Sequence, residues 1–177
     1  MGEVILALSA QTHPDRAHAS PETERIAANH QFTELNAAYS ILRDPKERLR
    51  HLLELELGAK PADVQQVPPD LVDWQFEIGA LCRAVDAFLA ENAKITSPIV
   101  RVQRFEPGQE WTEKLKAAQS RINSRRDESL AELKSMNNVW ASEKEHPLKR
   151  IEVIYRLLGY LGRWSGQIQE RIVRLAF

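Results

Sequence analysis

The chain has 177 residues, with 24 Lys and Arg against 25 Asp and Glu and a formal net charge of −1. That balance gives no overall field for drawing nucleic acid or an anionic membrane, and neither is expected as a partner. A hydrophobic content of 43% with 28% charged residues excludes wholesale disorder, and the single cysteine, Cys82, excludes an internal disulfide.

Apolar residues recur at spacings of three and four, only seven glycines occur, and hairpin signatures are absent, so the expected fold class is all-α. The start MGEVIL has no cationic leader, and Leu6 stands where a myristoylation site needs Ser or Thr. No run of about 18 uncharged apolar residues occurs, and a cytoplasmic location is expected. Residues 3–12 predict a short apolar helix that stops at His13-Pro14-Asp15. Pro14 fixes its own φ and biases His13 toward an extended conformation, which holds His13 and Asp15 out on a turn. Ser20 then offers an N-cap, with Pro21 suited to the first helical position. Ala28, Phe32, Leu35, Tyr39 and Leu42 form one stripe of a helix over 21–42. Asp44-Pro45 ends that helix and caps the next, over 45–57, which carries Leu49, Leu52, Leu53 and Leu57 as far as Gly58.

Residues 59–69 hold three prolines and read as a linker between a first unit, 1–58, and a second, 70–177. In the second unit Asp70 is placed to cap a helix over 70–92, with Leu71, Trp74, Ile78, Leu81, Val85 and Phe88 on its inner face. Cys82 falls in this stretch as a small buried hydrophobe. Residues 95–109, with Pro98, Pro107 and Gly108, read as a loop. A helix over 110–142 follows, then a break at His146-Pro147 and a last helix over 148–175. None of the three long helices can bury its stripe alone, so they predict a three-helix bundle.

Catalytic signatures are missing. His13, His18 and His30 with Asp15 lack any ligand spacing of the HExxH or CxxC kind, and no phosphate-cradling glycine loop or serine-nucleophile motif occurs. No metal, no cofactor and no enzymatic activity are expected. The cluster Arg121, Arg125, Arg126 is interrupted by Asp127 and Glu128 and reads as a solvated helix face.

The order of blocks is more specific than any one of them: LSAQTHPDR, then FTELNAAYSILRDPKERLRHLLE, a proline-bearing linker, and PPDLVDWQFEIGAL. This arrangement resembles the HscB-type J-domain co-chaperones of iron–sulfur cluster assembly over nearly the whole chain. The resemblance implies an incomplete J-domain helical hairpin followed by a three-helix client-binding bundle. It implies docking on a DnaK- or HscA-type chaperone through His13, Pro14, Asp15 and the adjoining Arg16, with stimulation of that chaperone's ATPase. It also implies an IscU-type scaffold protein as client, held by a face including Leu71, Val72, Phe76 and Glu77. Val72 and Phe76, four apart, either form an exposed apolar patch or widen the core stripe.

Two departures from the pattern stand out. Only twelve residues precede His13, so the helix that opens a J-domain has no counterpart, and Val4–Thr12 carries no Lys or Arg where the family presents a basic face. At the client face, Asp73, Gly79 and Ala80 replace the family's usual Met, Arg and Glu. With these departures the resemblance implies one of two expectations: a J-protein whose start falls inside the domain, or a divergent helical adaptor without ATPase stimulation. With a single short helix to cover Phe32, Leu35 and Tyr39, the first unit is expected to be labile or to self-associate through that stripe.

Overall fold

A computed structural model describes Leu8 and residues 21–61, 67–140 and 145–176. The predicted helix over 3–12 lies outside this set except for Leu8, which is helical, and the His13–Arg16 loop lies outside it entirely. All regular structure among the described residues is helical, so the fold is all-α. The chain divides into two units, Met1–Lys60 and Pro61–Phe177.

In the first unit α1 spans Glu22–Arg43 and α2 spans Pro45–Leu57. Their junction follows from local chemistry. Asp44 is extended, its carboxylate accepts the Glu47 N–H at 2.9 Å, and Pro45 occupies the first turn, where its missing N–H costs nothing. Gly58 ends α2 at φ 69°, a left-handed conformation that a Cβ would disfavour. The start of α1 differs from expectation, because Pro21 itself is the capping residue and accepts the Glu24 and Arg25 N–H groups on its carbonyl. Among the described residues no side chain caps this end, and Glu22 and Glu24 supply the negative charge that a helix N-terminus favours. Ala28, Phe32, Leu35 and Tyr39 are half-buried, and Ile41 takes the inward position expected of Leu42, which is exposed. Nothing in α1 is fully buried, whereas α2 buries Leu49 and Leu53.

The second unit opens with a 3-10 turn, Pro69–Leu71, continuous with α3 (Val72–Asn92). Asp70 does not cap α3. It lies within the 3-10 turn, where its carboxylate meets Arg125 at 3.3 Å, and Leu71 stands at the cap without a side-chain bond. Residues 95–109 are not a simple loop: α4 (Pro98–Gln103) and the start of α5 (Phe105–Trp140) fall there. Pro107 lies in the first turn of α5 and Pro147 in the first turn of α6 (Glu145–Leu175). First-turn N–H groups have no helical partner to lose, so both helices begin ahead of the prolines that were expected to precede them.

The core joins Leu71 of the 3-10 turn and Ile78, Cys82 and Val85 of α3 to Leu115 and Ile122 of α5 and to Leu157, Tyr160, Leu161, Trp164 and Ile168 of α6. α5 and α6 run antiparallel, with Gln119 bonded to Gln169 at one end and Glu132 to Arg150 at the other. The Arg150 hydrogen bond holds the Glu132 carboxyl below its ordinary range. α6 is tied to α3 by Arg171, which donates to Asp86 at 2.5 Å and to the Cys82 carbonyl at 3.3 Å. Burial pushes the Cys82 thiol up, in keeping with an inert core position. Among the described residues no helix is long and apolar enough to cross a membrane.

Candidate functional site

The client-face residues implied by the resemblance sit at the start of α3, and the structure separates them. Leu71 is 1% exposed and belongs to the core cluster, so it is not part of any accessible face. Val72 and Phe76 do share a surface. A helix turns about 100° per residue, which places positions four apart within about 40° of each other. Both lie well away from the direction of Ile78, Cys82 and Val85. Phe76 is 70% exposed and Val72 37%, so these two form an exposed apolar patch rather than widening the core stripe.

Charges border this patch. The Arg83 guanidinium lies back over Gly79, whose added Cβ would meet Arg83 Nη1 at 3.3 Å. Asp73 is exposed beside Val72. Glu77 is turned to the opposite flank, where it pairs with Arg121 of α5, and the Arg121 guanidinium stacks on the Trp74 ring at 4.9 Å. Beneath this pair is a cleft lined by Trp74, Glu77, Ile78, Leu81, Ala118 and Arg121, with room for about 10 Å³. That is the scale of one water molecule, so the cleft is a seam between helices rather than a small-molecule site.

Arg121 and Arg125 thus do more than solvate α5. Arg121 joins Glu77 and Trp74, and Arg125 joins Asp70 and Glu128. Their local sequence hid this, because Asp70, Trp74 and Glu77 lie dozens of positions away in the chain. The apolar side chains of α4 were equally hidden by the prolines around them.

Of the histidines considered for a metal, His30 lies on exposed α1 with Nδ1 3.5 Å from Glu34. Among the described residues no group of three or more His, Cys, Asp and Glu is placed to hold a metal ion. The chain matches no protein-family model.

Proposed function

We propose that this chain is a J-domain co-chaperone of the HscB type, acting in the cytosol without covalent chemistry of its own. It docks on a DnaK- or HscA-type chaperone through His13, Pro14, Asp15 and Arg16, accelerates ATP hydrolysis there, and presents an IscU-type scaffold bound on α3. The observation that carries this reading is the ordered series of sequence blocks, from His13-Pro14-Asp15 through LNAAY and DPKERLRHLLE to PPDLVDWQFEIGAL. The exposed pair Val72 and Phe76 supports it from the second unit, as an apolar surface on a helix. The client face in this proposal is Val72 and Phe76 with Asp73 and Arg83 at its border. Leu71 and Glu77 act behind it, in the core and in the α3–α5 ion pair.

One experiment separates the two halves. His13→Gln should abolish stimulation of the partner chaperone's ATPase while leaving scaffold binding and helicity unchanged. Phe76→Ser should do the reverse at little cost in stability, since Phe76 is already in water. If wild-type protein does not stimulate the ATPase, the co-chaperone reading fails. A second reading is favoured by the absence of Lys and Arg from Val4–Thr12: a helical adaptor that binds its client through Phe76 and leaves the ATPase unchanged.

A further inference from the structure

The segment between α3 and α5 carries a second apolar surface that the reading above does not use. α3 and α5 run antiparallel, because Asp70 meets Arg125, Glu77 meets Arg121 and Phe88 packs on Trp111. Their connection, with α4 inside it, is therefore the tip of that helix pair. Ile99, Val102 and Phe105 recur every three residues there and are 74%, 75% and 68% exposed. Side chains so little covered stand proud of the surface; they do not line a groove. Water contact on this scale for an Ile and a Val on α4 and a Phe at the start of α5, within seven residues, is unfavourable for each, and three such side chains at one tip call for a partner.

Charge identifies the kind of partner. Residues 92–105 contain Lys94, Arg101 and Arg104 and neither Asp nor Glu, although the chain as a whole has a net charge of −1. Arg101 is anchored at the tip by its Nε donating to the Ile95 carbonyl at 3.0 Å. Arg104 lies over the Phe88 ring and 3.6 Å from Glu91, so Lys94 and Arg101 carry most of the available positive charge. The bordering acids are Glu91, held by Arg104, and Glu106. A protruding apolar tip that carries Lys94 and Arg101 matches an anionic bilayer surface, which accepts protruding side chains between its headgroups and requires no matching groove. A folded protein partner would need a concave site of its own.

We propose that the α3–α5 tip is a peripheral docking surface for anionic lipid bilayers, with Ile99, Val102 and Phe105 entering the headgroup region and Lys94 and Arg101 contacting lipid phosphates or carboxylates. The inference stands apart from the co-chaperone reading, since it involves neither the His13 loop nor the Phe76 face.

Co-sedimentation of the full chain with phosphatidylcholine vesicles, with and without phosphatidylserine, tests it. Binding should require phosphatidylserine and fall as salt is raised. Ile99→Asp with Phe105→Asp should abolish it with no loss of helicity, because both side chains are exposed. Lys94→Gln should weaken partitioning about fivefold, the effect of one basic residue near a charged surface, and it leaves the Arg101 anchor intact. Absence of binding to phosphatidylserine vesicles overturns the proposal, as does equal binding to both vesicle types or undiminished binding by the double variant. Concentration-dependent dimerisation that the double variant removes, without vesicle binding, would also overturn it and assign the tip to a second copy of this chain.

Discussion

The helices α1 and α6 are both long and both carry a phased apolar stripe, yet they are stabilised in different ways. α6 contributes Leu157, Tyr160, Leu161, Trp164 and Ile168 to a core shared with two other helices. α1 has no fully buried residue, and Phe32, Leu35 and Tyr39 remain half in contact with water. A buried large apolar side chain contributes roughly 1.5–3 kcal/mol relative to an exposed one, so the same pattern of residues stabilises very differently in the two places. Amphipathic spacing states which face will be buried. How completely it is buried depends on what packs against it.

Native-state hydrogen exchange is the most direct way to break this comparison. Amides of residues 28–42 should exchange faster than those of 157–168 by well over tenfold at low protein concentration, because few buried contacts oppose local opening. Equal protection in the two segments in a monomer would show that α1 is covered as well as α6. Raising the protein concentration separates the remaining cases, since protection of 28–42 that grows with concentration means self-association through the stripe.

Truncation should show the same contrast at single residues. Leu161→Ala, at a site 1% exposed, should cost about 2–5 kcal/mol in denaturant unfolding of the second unit. Leu35→Ala should cost clearly less, because its side chain is only partly removed from water to begin with. A Leu35→Ala cost equal to that of Leu161→Ala would place α1 in a core as tight as that of the second unit.

The smallest expected effect sharpens the picture of the second unit alone. Glu132 accepts from Arg150 Nε at 2.5 Å and Nη2 at 2.8 Å across the α5–α6 seam. Its pKa in the folded protein is lowered by the Arg150 hydrogen bond, so its contribution is fully present above the ordinary carboxylate range of the unfolded chain and is lost as pH falls through the lower folded-state value. Because the Arg150 and Glu132 side chains are 44% and 35% exposed, Glu132→Gln should cost at most about 1 kcal/mol at neutral pH. The gap between wild type and variant should close under acid titration; one that stays constant with pH would assign the stabilisation to packing rather than charge.

Much of the architecture is written in local sequence. Asp44-Pro45 and Gly58 mark helix ends because a short acceptor side chain, a missing N–H and a missing Cβ act within a few residues of themselves. The stripes on α3, α5 and α6 follow from the helical period, and their burial required only that helices meet. Prolines misled where they sit in a first turn: Pro107 and Pro147 lie inside helices they were expected to precede, since the N–H they lack had no partner there.

Other features depended on the packed helices. Whether Val72 and Phe76 face water or the core was open in the sequence, because both outcomes suit a four-residue spacing; the direction in which α3 packs on α5 and α6 decided it. That direction also buried Leu71, one residue from Val72, since consecutive positions differ by about 100° around a helix. It set Arg121 over Trp74 and against Glu77, and Arg171 against Asp86, pairings between residues far apart in the chain. Sequence by itself determined the helical elements and their apolar faces, through interactions that reach three or four residues. Tertiary structure decided which apolar side chains stay exposed, at Phe76 and at the α3–α5 tip, because exposure depends on what the rest of the chain places beside them.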